Sequence, residues 1–159
     1  MAIREIRTLP DPILRKKCKA VPKVDDDIRS LLADMAETMY TSPNGAGLAA
    51  NQVGVLKRLV VLDMGQGLIQ LVNPRIVHRE GKQEVLEGCL SLPGRWGKVV
   101  RPKIVTVEAL DQNGAPLRLV GTGDLAKCFC HEIDHLDGKM YTRLVEGELH
   151  HVSYEEDEE

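Results

Sequence analysis

The amino-acid sequence predicts an α+β protein in which an antiparallel or mixed β-sheet surrounds a late helix. Three observations lead to this fold class. An apolar stripe at helical spacing occupies residues 28–39, β-branched or alternating runs follow in the middle of the chain, and a second helical segment ends near Gly138. Helices placed before and after a set of strands, rather than alternating with them, are typical of the α+β class.

The first long helix is predicted to be amphipathic. Three aspartates at residues 25–27 can cap its N-terminus and interact favourably with the positive end of its dipole. Residues 42–45, Ser-Pro-Asn-Gly, are predicted to end it. A shorter helical stretch is predicted at residues 10–17. The apolar residues of the long helix repeat at i, i+3, i+4, i+7 and i+11: Ile28, Leu31, Leu32, Met35 and Met39.

The strands are predicted from runs that are β-branched or alternate between polar and apolar residues, each bounded by Gly, Pro or Asn. The dipeptide Asn113-Gly114 is a hairpin signal between two of these runs, residues 104–110 and 117–120. The other predicted strands are residues 59–62, 68–72 and 76–78, with the run before the hairpin beginning at residue 103.

Length and charge indicate a single globular domain. The 159 residues are about the size of one average domain, and no repeat or linker divides them, so residues 1–154 are expected to form one unit. Residues 155–159 are all acidic and are expected to be a disordered tail. The formal net charge is −3, and it becomes +2 without this tail. Such a balance does not predict the basic face that nucleic-acid binding requires.

Two further features point to the cytoplasm. No apolar run is long enough to cross a bilayer, and residues 1–14 lack the apolar core of a signal peptide. We therefore expect a cytoplasmic protein that does not enter the membrane. Its four cysteines lack the spacing of a disulfide framework and are expected to be core, metal-binding or catalytic residues: Cys18, Cys89, Cys128 and Cys130.

The strongest chemical signal is the sequence His-Glu-Ile-Asp-His at residues 131–135. It lies in a second helix, predicted to begin near Thr122 or Gly123 and to end at Gly138. Residues four apart lie above one another on a helix, so the two imidazoles can bind one metal ion. The glutamate beside the first histidine can then act as a general base towards water. The alternative is a surface helix that carries these residues by chance.

Two histidines do not complete a catalytic metal site, which commonly uses three protein ligands and keeps one position for water. One metalloprotease class supplies a third His, but Tyr141 stands at that position. A second class supplies a downstream glutamate, but the candidates Glu155 and Glu156 lie in the predicted tail. Cys128 lies on the histidine face, yet it is about 10 Å along the helix axis from His135, at a rise of about 1.5 Å per residue.

Cys89 remains as a candidate third ligand. A lone cysteine is most often a buried structural thiol, but Gly88 beside it allows the backbone to approach another element closely. A cysteine thiolate with two histidines would bind Zn(II) or Fe(II). Both interpretations of Cys89 remain open from the residues alone.

A third motif, Gly-Ala-Gly-Leu-Ala-Ala-Asn-Gln, occupies residues 45–52. Its glycine spacing could begin a dinucleotide site, but such a site needs a strand before it and a helix after it, and the order here is reversed. The glycines could instead allow a ligand backbone to lie against this segment. Gln52 could then present its amide to a developing oxyanion. The remaining alternative is a glycine-rich turn with a surface glutamine.

Residues 45–52, 87–91 and 131–135 together resemble the three signature motifs of the peptide deformylase family, in the same order. The resemblance extends from the N-terminal helix to Tyr141. It implies an α+β domain whose antiparallel sheets wrap around the metal-binding helix. It also implies that Cys89, His131 and His135 bind the metal and that Glu132 is the general acid and base.

The resemblance further implies how a substrate would be held. Gln52 and the backbone N–H of Leu90 would form the oxyanion hole. The backbone around Ala46 and Gly47 would pair with the substrate as an added strand. We also expect Gly88 and Cys128 to lie beside the substrate, Cys128 as a wall of its pocket.

The implied function is a metal-dependent hydrolase that removes the N-formyl group from the formyl-methionine of newly made proteins. The metal would lower the pKa of a bound water, the hydroxide would attack the formyl carbon, and Glu132 would carry the proton. One divalent ion is expected, Fe(II) in vivo, with Zn(II), Ni(II) or Co(II) able to replace it in purified protein. The partners would be N-formylmethionyl nascent peptides, met at the ribosome.

Two positions depart from the family pattern. Asp124 and Lys127 stand where the helix near the site is often apolar or carries Arg, which bears on the wall of the methionine pocket. The acidic C-terminus also differs from the basic or helical ends that some relatives use to dock on ribosomes. Two other functions remain as alternatives: an endopeptidase built on His-Glu-x-x-His, and a non-catalytic metal-binding protein.

Overall fold

Two α-helices, three short 3-10 helices and two antiparallel sheets make up the computed structural model, which describes residues 2–42, 45–147 and 149–151. The predicted acidic tail, residues 155–159, lies outside these ranges. In chain order the α-helices and strands are α1 Asp26–Thr41, β1 Gly47–Ala49, β2 Leu59–Leu62, β3 Ile69–Glu80, β4 Gln83–Cys89, β5 Leu92–Arg101, β6 Ile104–Leu110, β7 Pro116–Thr122, α2 Asp124–Leu136 and β8 His150–His151.

The strands form a larger and a smaller sheet. The larger sheet has the order β1-β2-β3-β6-β7, and the smaller has the order β4-β5-β8. Every pairing between these strands is antiparallel. The predicted α+β class and the predicted late helix are therefore confirmed. None of the helices in the described ranges is long and apolar enough to cross a membrane.

Strand β2 lies between the two helices and explains how the core is arranged. Its four residues are completely buried, and successive side chains of a strand point to opposite faces. Leu59 and Val61 pack in the cluster that contains the buried face of α1, whereas Val60 and Leu62 pack with α2. The two helices therefore cover opposite faces of the larger sheet. A continuous apolar run is the pattern expected of a strand buried on both faces.

Helix α1 begins where the aspartates predict. The side chain of Asp25 accepts a hydrogen bond from the N–H of Ile28 at 3.0 Å, which satisfies one of the free donors of the first turn. The helix ends at Thr41. Its buried residues include the predicted apolar set of Ile28, Leu31, Leu32, Met35 and Met39. Pro43 and Asn44, which belong to the predicted helix stop, lie outside the described residues.

Helix α2 packs across the larger sheet and also contacts β5 of the smaller sheet. Gly138 follows its last turn with a φ of +74°, as predicted for a residue at C′. A Cβ at this position would lie 2.4 Å from the backbone oxygen of Arg15. The end of α2 is thus held against the N-terminal segment, which forms a 3-10 helix at Pro12–Arg15 inside the predicted helical stretch.

Every predicted strand belongs to the larger sheet, whereas β1 and the strands of the smaller sheet were not predicted. The hairpin at Asn113-Gly114 joins β6 and β7 as predicted. The two runs predicted at residues 68–72 and 76–78 are one long strand, β3, because a bulge near Asn73 lets it continue past Pro74. Strands β4 and β5 were not predicted. Their alternation is hidden because glycines interrupt it and because two of the buried residues, Glu87 and Arg101, are charged.

Candidate metal centre and substrate cleft

Helix α2 places two histidines in the interior of the protein. His131 and His135 lie one turn apart on the buried side of the helix, with relative exposures of 7% and 0%. Their Nε2 atoms are 3.3 Å apart, and the two rings meet edge to face. Burial, together with the charges of His131 and Arg101, lowers the pKa of His135 well below its usual range. His135 is therefore neutral and has a lone pair available for a metal ion.

Cys89 reaches the same point from the smaller sheet. It ends β4 after a register shift at Gly88, which turns the chain towards α2. Its Sγ lies 3.2 Å from Nε2 of His135, and the ligand atoms of Cys89, His131 and His135 all lie within 4.8 Å of one another. The sequence left the role of Cys89 open, and the fold brings its thiol to the two imidazoles.

The spacing of these atoms fits a divalent metal ion. A tetrahedral ion with bonds of about 2.0–2.1 Å to nitrogen and about 2.3 Å to sulfur separates two nitrogens by roughly 3.3 Å and a nitrogen from sulfur by roughly 3.5 Å. The observed separations are 3.3 Å between the two Nε2 atoms and 3.2 Å between sulfur and His135. One thiol and two imidazoles are also the donor types that Zn(II) and Fe(II) accept.

A buried ion pair between Glu87 and Arg101 orients the His131 ring of this cluster. Glu87 on β4 accepts hydrogen bonds from Nε and Nη2 of Arg101 at 2.6 Å and 2.9 Å. Its Oε1 also lies 2.7 Å from Nδ1 of His131, so Nδ1 carries a proton and Nε2 faces Cys89. Burial raises the pKa of Glu87, but the hydrogen bonds from Arg101 and His131 outweigh it and bring the pKa to about 2. Arg101 also donates to Asp134 at 2.8 Å.

Glu132 has the opposite environment. It is 5% exposed, and its Oε1 is buried without a hydrogen-bond partner among the described residues. Burial raises its pKa to about 7, although the charge of His131 acts in the other direction. Gly47 makes room for this carboxylate, because a Cβ there would lie 2.7 Å from Oε2 of Glu132 and 3.0 Å from Sγ of Cys128. A carboxyl group with this pKa can both accept and donate a proton near neutral pH.

Gln52 lies on the other side of Cys89, in a 3-10 helix at Ala50–Val53. Its Oε1 accepts a hydrogen bond from the N–H of Ala49 at 2.9 Å. Its Nε2 donates to Oγ of Ser91 at 3.1 Å and points towards Sγ of Cys89 at 3.4 Å. The amide N–H₂ of Gln52 is therefore directed into the site. Leu90, between Cys89 and Ser91, lines the same cleft.

A cleft of about 780 Å³ opens beside these residues. Strand β1 lies at one edge of the larger sheet, and in the described residues it pairs on one side only, with β2. Every site residue predicted from the sequence except His135 lines the cleft. Those lining residues are Ala46, Gly47, Gln52, Gly88, Cys89, Leu90, Cys128, His131 and Glu132. His135 lies beneath them as part of the cluster with Cys89 and His131.

Comparison with known proteins supports what the geometry suggests. Residues 3–149 match the family model described as polypeptide deformylase. The chain belongs to the polypeptide deformylase family. Members of this family remove the N-formyl group from nascent peptides and depend on a metal ion. The chain is accordingly a hydrolase with this activity, and the two alternative functions considered from the sequence do not apply.

Individual relatives agree with this assignment along most of their length. The chain is 59% identical to peptide deformylase 2 of Clostridium acetobutylicum, over 91% of this chain and 97% of the relative. It is 48% identical to a peptide deformylase of Agathobacter rectalis over the whole length of both. The crystal structure of a peptide deformylase from Legionella pneumophila is 47% identical and superposes with a TM-score of 0.87, over 91% of this chain and 87% of that one.

The two departures from the deformylase pattern occupy different surroundings. Lys127 lines the cleft, and its Nζ donates to the backbone oxygen of Leu86 at 3.3 Å. Its aliphatic stem can therefore form part of the pocket wall while its charge is held at the rim. Asp124, at the start of α2, has a side chain that is 76% exposed and does not line the cleft.

Arg95, Trp96 and Ser91 are among the residues of the site that sequence reasoning missed. Arg95 and Trp96 line the cleft because β5 folds back on β4, a pairing that was not predicted. Ser91 is completely buried against Gln52. The motif at residues 87–91 contains Ser91, but nothing in the sequence indicates that its partner lies 39 positions away.

The buried ion pair should be far more important for stability than an exposed one. We expect Arg101→Met to lower the free energy of unfolding by about 3–5 kcal/mol, because it leaves the charge of Glu87 buried without its main partner. Arg118→Met removes an exposed partner of Glu108 at 3.0 Å and should change it by about 0–1 kcal/mol. Urea unfolding of both variants measures the difference. If the two variants lose free energy of unfolding to within about 1 kcal/mol of each other, Glu87 has found another partner in Arg101→Met and the prediction is wrong.

Proposed function

We propose that Cys89, His131 and His135 hold one divalent metal ion and that α2 is the metal-binding helix of the fold. The observation that carries this proposal is the convergence of one sulfur and two nitrogens within 4.8 Å in the interior of the protein. When bound, the ion supplies a Lewis acid that makes water nucleophilic near neutral pH. The ion we propose in vivo is Fe(II), with Zn(II), Ni(II) or Co(II) able to occupy the same ligands.

Glu132 is the proton carrier of the proposed mechanism. Its carboxylate accepts a proton from the attacking water as the new C–O bond forms at the formyl carbon. It then gives this proton to the nitrogen of the leaving amine as the C–N bond breaks, so that formic acid and a free α-amine are released, which ionise to formate and an ammonium group. The pKa of about 7 supports both steps, since a group with this pKa is readily protonated and deprotonated at neutral pH.

Gln52 and Leu90 stabilise the oxygen that becomes negative during the attack. The amide of Gln52 is oriented with its N–H₂ towards Cys89, and Leu90 follows Cys89 directly in the chain. A side-chain N–H and a backbone N–H held before the reaction cost no reorganisation when the charge develops. This arrangement supports an oxyanion hole next to the proposed metal ion.

The substrate backbone binds as an additional strand along β1. Ala46 and Gly47 lie at the edge of the larger sheet beside the cleft, and Gly88 lies across it on the smaller sheet. An extended peptide between them would present its formyl group to Glu132 and Gln52. Cys128 forms a wall of the pocket for the methionine side chain. Burial and the charge of Glu132 raise the pKa of Cys128 well above its usual value, so its thiol stays neutral.

The remaining proposals concern where the enzyme acts. Residues 1–154 would form one catalytic domain, followed by the acidic tail at residues 155–159. Formylated nascent peptides emerge from ribosomes, so we propose that the enzyme meets them there, in the cytoplasm. Neither a nucleic acid nor a membrane is part of this proposal.

Replacing the proton carrier should abolish turnover without removing the metal. We expect Glu132→Gln to lower kcat for formyl-Met-Ala-Ser by about 10²–10⁴-fold or more, because the amide cannot carry the proton. Metal content, measured after gel filtration, should be unchanged. A matched control is Glu37→Gln, since Glu37 also has a buried carboxylate oxygen without a partner in the described part of the chain but lies outside the cleft. More than a tenth of the wild-type activity in Glu132→Gln would contradict the role of Glu132 as proton carrier. In the same assay the wild-type enzyme should not hydrolyse acetyl-Met-Ala-Ser.

Three cysteine-to-alanine variants separate the metal ligand from its neighbours. Cys89→Ala should lose both metal and activity. Cys128→Ala should keep the metal and change KM a few-fold, in line with the roughly 1–3 kcal/mol that small pocket contacts contribute. Cys130→Ala should affect neither, since Cys130 packs with Val105 and Ala126 away from the cleft. Loss of metal from Cys128→Ala but not from Cys89→Ala would overturn the ligand assignment.

The proposed Fe(II) site should be sensitive to oxygen. Fe(II) and a cysteine thiolate are both open to oxidation, so activity of anaerobically purified enzyme should decay in air. Replacement by Ni(II) or Co(II), or addition of catalase, should protect it. The measurement is residual deformylation over time, together with metal analysis. Activity that is equally high and stable in air with Zn(II) would contradict the choice of iron.

A further inference from the structure

We propose that Ser91 is a positioning residue that fixes the amide of Gln52 for catalysis. The proposal rests on the role proposed above for Gln52. Ser91 has 0% of its surface exposed and Gln52 has 1%, and the amide Nε2 donates to the serine Oγ at 3.1 Å. Ser91 does not line the cleft, so it acts on the reaction only through Gln52.

The hydrogen bonds of the Gln52 amide determine which way it points. Its Oε1 accepts from the N–H of Ala49 at 2.9 Å, and a rotation by 180° would place N–H₂ against that donor. One hydrogen of Nε2 is directed to Ser91. The other points towards Sγ of Cys89 at 3.4 Å, a long contact that a developing oxyanion can replace. The hydroxyl of Ser91 thus leaves one N–H of known direction for the substrate.

The backbones of both residues are held from behind by the N-terminal segment. The N–H of Arg7 donates to the backbone oxygen of Gln52 at 2.6 Å, and the N–H of Leu9 donates to that of Ser91 at 2.9 Å. Both bonds come from the same short segment, although Gln52 and Ser91 are 39 positions apart in the chain. Because the backbones are fixed, the torsion angles of the Gln52 side chain are the freedom that remains, and the Ser91 hydroxyl restricts it.

Loss of the hydroxyl should therefore reduce kcat more than it changes KM. Removing a complete oxyanion donor costs about 10²–10³-fold in kcat. Ser91→Ala keeps the donor and the bond from Ala49 but removes the bond that fixes Nε2, so we expect a loss of about 10-fold, a part of that full effect. KM for formyl-Met-Ala-Ser should stay within about 2-fold, since uniform binding is not altered. Ser91→Cys, which keeps a weaker acceptor, should lie between wild type and Ser91→Ala.

The decisive test is a double-mutant cycle of Ser91→Ala and Gln52→Ala, assayed at equal metal content. If Ser91 acts through Gln52, then Ser91→Ala should cause almost no further loss in the Gln52→Ala background. Independent losses that multiply would overturn the positioning role while leaving the role of Gln52 intact. An unchanged kcat in Gln52→Ala would overturn the oxyanion proposal and this one with it. Both outcomes are distinct from loss of metal, which would indicate damage to the Cys89 loop.

Thr38→Val is the control for removing a buried hydroxyl. Thr38 is 1% exposed, its hydroxyl bonds to the N–H of Arg4 and the backbone oxygen of Asp34, and it does not line the cleft. It should lower the thermal midpoint without changing kcat. If Ser91→Ala lowers the midpoint as much as Thr38→Val but leaves kcat at the wild-type value, Ser91 is a structural residue and the proposal is wrong.

Discussion

The ion pair between Glu87 and Arg101 is the constraint on which the site depends. Both side chains are almost completely buried, at 3% and 4% exposure, and they link neighbouring strands of the smaller sheet to α2. Removing charges from water is costly, and the pair is tolerated because each charge is met by several hydrogen bonds. The hydrogen bonds that offset the burial of the Glu87 charge include one to Nδ1 of His131, and this bond fixes the orientation of the His131 ring. The same two strands that bury this pair therefore determine where the histidine nitrogen points.

The larger sheet supplies the apolar packing that holds α2 in place beside this ion pair. Strand β2 supplies apolar side chains to both faces, so α2 can be covered on one side by the sheet and still turn its polar residues towards the smaller sheet. Phe129 and Leu136 anchor the helix on the apolar side. A helix packed on two sides cannot move easily, and rigid support is what keeps catalytic groups in position.

Much of the fold and the facing pair of histidines could be predicted from the sequence, because they rest on local signals. The spacing of His131 and His135 is a property of any helix, and the caps and turns of α1 and the β6–β7 hairpin are set by neighbouring residues. The smaller sheet could not be predicted in this way. Its strands carry charges whose partners, such as Arg101 for Glu87, become visible only when the chain is folded.

Ser91 and Arg95 illustrate the same limit at the level of the site. A serine is ordinary in a sequence, and its importance depends on a glutamine that reaches it from another part of the fold. Arg95 belongs to a strand whose pairing brings it to the cleft. The sequence motif at residues 87–91 indicated that a specific loop exists there. It did not indicate which atoms of that loop hold the other site residues.

The contrast between Glu87 and Glu132 shows how the fold assigns different tasks to two buried carboxylates that lie close to the same histidine. Glu87 receives hydrogen bonds from a guanidinium and an imidazole, and its pKa falls to about 2. It is therefore permanently charged and suited to orienting its neighbours. Glu132 has an oxygen without a donor among the described residues, and burial raises its pKa to about 7. A carboxyl group with a pKa near neutrality can both accept and donate a proton during the reaction. Glu87 cannot, because its hydrogen bonds with Arg101 hold its pKa far below neutral pH.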